Sequence, residues 1–199
     1  MTTTIGIVLF HGVEELDAIG PWEALRYAQL ELADDLEVFT VAASGQPITC
    51  NKGLKLTPDR TFAETQALDV LLVPGGNGSR AVAQDEASLA WIRQVAEGAR
   101  WVTSVCTGSR VLLAAGPARG KRITTYHASI EELRQSGLAG EVLDGVRYVR
   151  DGNLVTSAGV SAGIDMALWL LGQLYTPAFA REVQQGIEYF PAPPYSAET

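Results

Sequence analysis

Cys106 stands between Trp101-Val-Thr-Ser-Val105, five strand-prone residues, and Thr107-Gly-Ser-Arg-Val-Leu-Leu-Ala-Ala115, a helix-prone run that opens with small residues. A side chain at a strand-to-helix turn is pushed out of the sheet edge under the positive end of a helix, where backbone N–H groups and the helix dipole favour an anion. A thiol so placed is expected to have its pKa lowered from about 8.5 to roughly 3.5–7.5, which makes it a nucleophile. The plainer reading is a small buried hydrophobe, the common fate of a free cysteine. The local pattern leaves both open. Asp17, in Gly12-Val-Glu-Glu-Leu-Asp-Ala-Ile-Gly20, lies between apolar neighbours just ahead of a helix. It reads either as a helix cap or solvated loop acid, or as a carboxyl group facing the thiol. In a dry pocket beside a thiolate its pKa would rise, because like charges resist ionising together, and it would then serve as a general acid. Pro74-Gly75-Gly76-Asn77-Gly78 is either an ordinary turn or a source of backbone N–H groups for a developing anion.

Other chemistries find less support. His11 and His127 are the only histidines, and neither has a partner at metal-ligand spacing, so no metal site is expected. His127 follows Thr124-Thr125-Tyr126 at a strand end, which is either a pocket position or a surface one. Cys50 lies in a hairpin without an activating neighbour and reads as structural. The glycine turn lacks the Gly-Lys-Ser/Thr ending of a phosphate loop and does not open a dinucleotide fingerprint. Trp22 is near enough to the Asp17 segment to line a pocket there. Nucleotide and other cofactors are not expected.

The elements that must carry these groups follow from hydrophobic patterning. Ile5–Phe10, Leu36–Ala42, Asp69–Val73 and Trp101–Val105 read as strands, several of them continuous apolar runs suited to burial on both faces. His11 to Gly20 reads as a polar loop, and Pro21 opens a helix through about residue 32. Further helices are expected over 86–98, 107–115, 129–135, 161–174 and 177–187. Ile48 to Leu56 reads as a hairpin around Lys52-Gly53, Arg122–Thr125 as a short strand, and 146–150 with 154–157 as a hairpin around Asp151-Gly152-Asn153. Phe190-Pro-Ala-Pro-Pro194 cannot be regular helix. Strands alternating with helices imply βαβ units and a mostly parallel sheet. Ligands of such sheets collect at the carboxyl ends of the strands. The loop after Phe10, the turn after Val73, and Cys106 all fall there.

The 199 residues suit one domain spanning 1–199, and 47% hydrophobic content supplies a sizeable core. A net charge of −8 without a basic stripe argues against nucleic acid and anionic membranes as partners. The apolar run Met166-Ala-Leu-Trp-Leu-Leu171 is too short to span a bilayer. Two cysteines make no disulfide framework, and the first residues do not read as a signal peptide, so a reducing cytoplasm is expected.

Cys106 in Ser-Val-Cys-Thr-Gly-Ser, Pro-Gly-Gly at 74–76 and Leu-Asp-Ala-Ile-Gly-Pro at 16–21 together resemble the ThiJ/PfpI superfamily, over essentially the whole chain. The resemblance implies a flavodoxin-like, glutamine-amidotransferase-like α/β fold: a three-layer αβα sandwich with a mostly parallel sheet and a small β-hairpin. Cys106-Thr107, Asp17, Arg150-Asp-Gly-Asn-Leu154, Ala162-Gly-Ile-Asp165 and Glu188-Tyr-Phe-Pro-Ala-Pro-Pro194 look most like its isonitrile hydratase branch. That branch implies Cys106, Asp17 and Thr107 as site residues, no metal and no cofactor, a small-molecule substrate, and a homodimer. Gly75, Gly76 and Thr107 would offer anion-stabilising N–H groups, with Trp22, Tyr126 and His127 as pocket candidates. Thr107 replaces the histidine that follows the cysteine in the family's peptidases. Tyr126 stands where other branches place histidine, which disfavours a Cys-His-acid triad. The chain also ends at Thr199 without the helix-turn-helix extension of related regulators. The implied activity is hydration of an isonitrile to an N-substituted formamide. The alternatives are a glyoxalase-like lyase on small 2-oxoaldehydes, or a non-enzymatic cysteine redox or ligand sensor.

Overall fold

The computed structural model describes residues 2–191. Strands β1 (Thr3–Val8), β2 (Leu36–Ala42), β5 (Arg60–Thr61), β6 (Val70–Val73), β7 (Trp101–Val105), β10 (Tyr148–Asp151) and β11 (Leu154–Ser157) form one sheet in the order β10-β11-β7-β6-β1-β2-β5. All neighbours are parallel except the β10–β11 hairpin at one edge. Two small sheets flank it: the antiparallel β3 (Ile48–Thr49) with β4 (Lys55–Leu56), and β8 (Arg122–Ile123) with β9 (Glu141–Val142). The helices are α1 (Glu15–Tyr27), α2 (Ser79–Val82), α3 (Glu86–Gly98), α4 (Gly108–Ala115), α5 (Ile130–Ser136), α6 (Ala162–Leu174) and α7 (Pro177–Gly186). Helices α1, α6 and α7 pack together, and α4 packs with α2 and α3.

The continuous apolar strands are buried as their composition demands. Ile5, Ile7, Val70, Leu71, Leu72, Val73 and Val105 have essentially no exposed surface. Parallel strands covered by helices on both faces have no solvent side to mark with polar residues. From β1 the chain winds outward through β2, then returns to β6 on the other side of β1. The crevice where the order reverses lies at the carboxyl ends of β1 and β6, beside the end of β7.

Two expectations need correcting. Helix α1 begins at Glu15, six residues ahead of Pro21, which lies inside it. The proline removes the bond that its N–H would give to the carbonyl of residue 17. Burial of Asp17, Ala18, Gly20, Pro21, Ala24 and Leu25, together with the packing of α1 on α6, outweighs that loss. The strand expected over Arg122–Thr125 ends at Ile123, because the Thr124 N–H donates to Thr156 Oγ1 at 2.7 Å and its hydroxyl to the Leu143 carbonyl at 2.9 Å. The two-residue strands β5 and β9 were not foreseen, being too short to display a period. Residues 192–194 of the proline-rich tail lie outside the described residues.

Candidate active site

Cys106 is the junction between β7 and α4, and its backbone is left-handed, φ 56°. A non-glycine residue in that region costs of order 1–3 kcal/mol and persists only where its surroundings enforce it. They do so here. The Cys106 N–H is shared between the carbonyls of Ser157 (3.2 Å) and Ala158 (3.1 Å) at the end of β11. Its own carbonyl accepts from the hydroxyls of Thr125 (2.9 Å) and Ser109 (3.2 Å). Gly108, the first residue of α4, lies against the Val73 carbonyl so closely that any Cβ would overlap it. The turn is therefore clamped from β6, β11 and the 124–126 segment at once.

Asp17 reaches the same point from the first turn of α1. It is fully buried, and its Oδ2 accepts the Gly75 N–H at 2.9 Å. A Cβ on Gly75 would overlap the Thr107 backbone nitrogen and come within 2.6 Å of Thr107 Oγ1 and 2.9 Å of Asp17 Oδ2, so this contact requires glycine. The other carboxyl oxygen, Oδ1, is buried without a hydrogen-bond partner of regular geometry. The carboxyl group's other polar neighbours are the Cys106 thiol and the Val160 N–H, both close enough to favour the carboxylate. Burial dominates, however, and lifts the Asp17 pKa from 3.8 to about 7.

The thiol departs from expectation. Burial, then the Asp17 charge, push Cys106 up from 9.0 to about 12; the Thr107 and Val160 N–H groups pull the other way and lose. The expected lowering by the helix end is thus overturned. Only 5% of Cys106 is exposed, and the ionisable neighbour that shifts it is an acid, not a base. The resting sulfur is a thiol, and Asp17 is the group that titrates near neutrality.

The glycine turn also acts otherwise than expected. The Gly75 N–H is spent on Asp17, and the Gly76 N–H on Thr107 Oγ1 at 3.0 Å. The Thr107 hydroxyl donates back to the Gly76 carbonyl (3.3 Å) and accepts from Ser79 Oγ (3.0 Å), which itself accepts from Arg110 Nη1 (3.0 Å). Arg110 is held in turn by Glu132, through Nε at 3.1 Å and Nη2 at 2.9 Å. Thr107 thus faces the sulfur with its N–H while its hydroxyl ties α4 to the glycine turn. The second N–H at the sulfur is that of Val160, a β-branched residue at φ 51° in the turn between β11 and α6. Sequence reasoning missed Val160, Ser79, Arg110 and Thr125. For Val160 the available signal was position: 158–161 is another strand-to-helix turn, on the strand next to β7.

Cys106 opens into a cavity of about 410 Å³, lined also by Glu14, Gly76, Arg80, Thr107, Arg110 and Tyr126. The Glu14–Lys52 ion pair and the chain Asn77–Asn51–Glu14 close its rim from the β3–β4 hairpin. Two pocket candidates lie elsewhere. Trp22 lines a separate apolar cavity of about 240 Å³ with Leu9, Ala18 and Leu56, because α1 turns that face away from the sulfur. His127 is exposed, its ring against Tyr126, which takes the inward position. No group of three metal-capable side chains occurs among the described residues. No helix among them is long and apolar enough to cross a membrane.

The DJ-1/PfpI family model matches residues 3–173 of the chain, a span that includes Asp17, the glycine turn and Cys106. The chain belongs to the DJ-1/PfpI family. It is 46% identical over 197 residues to the isonitrile hydratase of Pseudomonas putida, covering 99% of this chain and 83% of that protein. It is 27% identical to protein dj-1beta of Drosophila melanogaster, covering 94% and 97% respectively. A ThiJ/PfpI family protein from Pseudomonas syringae superposes with a TM-score of 0.88 at 32% identity, covering all of this chain and 80% of the other. The three-layer α/β architecture is therefore shared with solved members of the family, as the resemblance implied.

Proposed function

We propose that this DJ-1/PfpI family chain hydrates isonitriles to N-substituted formamides, with Cys106 as nucleophile and Asp17 as proton carrier. The observation that carries the reading is the buried Asp17 carboxyl, titrating at about 7 and within hydrogen-bonding reach of the Cys106 thiol, where it is placed to take the thiol proton as the sulfur adds to an electrophile. The 46% identity to an isonitrile hydratase supports the substrate class. In the active state the pair holds one proton, on sulfur at rest. As Sγ adds to the terminal isonitrile carbon, Asp17 takes the thiol proton and delivers it to that same carbon. The product is the thioimidate R–N=CH–S–Cys106. Splitting one hard addition into two easier steps is what a covalent nucleophile achieves. Water then adds to the thioimidate carbon, its proton passing through Asp17 to nitrogen. Collapse releases R–NH–CHO and returns the proton to sulfur. Summed, one isonitrile and one water give one formamide. The N–H groups of Thr107 and Val160 stabilise charge on sulfur as it forms and leaves.

The same geometry disfavours the alternatives. A redox sensor needs an accessible low-pKa thiolate, whereas this sulfur is buried and its pKa raised. A glyoxalase-like reaction would lack a histidine at position 126. A homodimer in the cytoplasm is part of the proposal. Sedimentation tests the assembly, and exposed Leu16 on α1 and Leu54 beside β4 offer apolar surface for it. The activity test is formamide production from a simple alkyl isonitrile, followed against pH. Turnover is expected to rise through a limb near pH 7 and to vanish in Cys106→Ala. A wild-type protein as inert as that variant refutes the reading.

A further inference from the structure

The charged lining of the cavity that holds Cys106 is unsuited to a purely hydrocarbon substituent. Arg80 and Arg110 both reach it, and both bind the single carboxylate of Glu132: Arg80 through Nη1 (3.2 Å) and Nη2 (2.9 Å), Arg110 through Nε and Nη2. Two guanidinium groups sharing one carboxylate leave one positive charge unmatched. The remaining charged pair of the lining, Lys52 with Glu14, cancels. Asp17 places its negative charge at the buried sulfur when ionised but does not line the cavity, so the unmatched charge is that of the lining itself. The imbalance stands out in a chain whose net charge is −8. Charges beyond about 8 Å are largely screened at physiological ionic strength, so distant acidic groups do little to the lining and its guanidinium groups dominate at the surface a ligand touches.

The two arginines differ in what they have left to give. Arg110 is largely buried and spends its N–H groups on Glu132 and Ser79. Arg80 is 65% exposed in its side chain, and its guanidinium makes hydrogen bonds only to Glu132 among the described residues. Its Nε–H and outer Nη hydrogens have no acceptor there, and Glu132 holds the guanidinium in place from one side. A planar fork, fixed and half satisfied, is preorganised for a second carboxylate. A cavity of about 410 Å³ that contains both Cys106 and Arg80 limits the ligand to a small one, and one unmatched charge suits a monoanion.

We propose that the isonitrile taken by this site carries a carboxylate, bound by Arg80 in the cavity that also holds Cys106. This rests on the isonitrile reading above and adds the substituent. Two arms separate the claims. In the first, Cys106 is alkylated with iodoacetate or with iodoacetamide, which are similar in size and differ in charge. The rate ratio on the Cys106 peptide is compared with that of a neutral small thiol. The wall is expected to raise the iodoacetate preference about tenfold, and Arg80→Gln and added salt to lower it. In the second arm, kcat/KM is compared for isocyanoacetate and its methyl ester, with the acid expected to be favoured by a similar factor and Arg80→Gln to erase the preference. A ratio equal to that of the free thiol, or one unmoved by Arg80→Gln, overturns the carboxylate site. A raised alkylation ratio with formamide from neither isonitrile overturns the isonitrile substrate and leaves the carboxylate wall intact.

Discussion

Replacing Asp17 by asparagine should stabilise the protein at alkaline pH while disabling it. A carboxyl whose pKa is 3.8 when exposed and about 7 when folded binds more protons in the native state than in the unfolded state throughout that interval. Its contribution is fully favourable below about pH 4 and is lost as pH rises through 7. At about 1.4 kcal/mol per tenfold, the whole loss is about 4 kcal/mol, of which about 2 falls between roughly pH 5.5 and 8.5. The lower limit keeps clear of the isoelectric point near 4.8. Asparagine removes the ionisation but keeps an oxygen for the Gly75 N–H. Its amide group would face Sγ, while the Val160 N–H loses an acceptor, a cost of about 1 kcal/mol. The Tm of Asp17→Asn should exceed that of wild-type at pH 8.5 by roughly 6–12 °C, using about 2–4 °C per kcal/mol for a chain of this size.

The quantity to plot is the difference in Tm between variant and wild-type against pH, by calorimetry or thermal fluorescence. The lowered pKa values of Glu64, Asp85 and Glu132 belong to both proteins and cancel. A difference that climbs through the range and levels off above pH 7 is expected. A flat or falling difference would show that Asp17 is ionised at little cost, and the proton-carrier role would go with it.

Asp17→Asn should also lower the Cys106 pKa, since the Asp17 charge ranks next to burial among the causes that raise it; thiolate absorbance in a Cys50→Ser background reports this directly. Gly75→Ala should cost more than about 3 kcal/mol, because backbone, not a flexible side chain, occupies the space its methyl group needs, and chemical denaturation measures it. Thr107→Val leaves the Gly76 N–H and Ser79 hydroxyl without their partner, a loss of about 1–3 kcal/mol with reduced kcat/KM, whereas Thr107→Ser should retain most of both.

Much of the frame was legible because burial writes itself into composition. β2, β7, β11 and α3 occur where apolar runs and helical periodicity put them. The meeting of the β1, β6 and β7 ends could be argued from alternation alone. What stayed hidden was contact across the sheet. Asp17 was read as a loop residue because Pro21 marks a helix start in isolation, and only packing of α1 on α6 carries the helix back to Glu15. Gly75 and Gly76 looked like free donors, since nothing local says that Asp17, 58 residues away, and Thr107, 31 away, consume them.

The thiol's protonation state is the most consequential of these corrections. A strand–helix turn by itself argues for a thiolate, because the helix end is the only charge that local sequence reveals. Burial and a facing carboxyl are both non-local, and together they reverse the sign. The reversal makes the chemistry conditional on substrate. An exposed thiolate reacts with any oxidant or electrophile that diffuses past, whereas a buried thiol with its base already in contact is activated as an electrophile enters and the proton moves. On the proposed mechanism the clamped backbone at Cys106 and the left-handed turn at Val160 would share a purpose: they would hold two N–H groups on a sulfur that carries charge only during reaction, so that their strain would be offset in the transition state and not at rest.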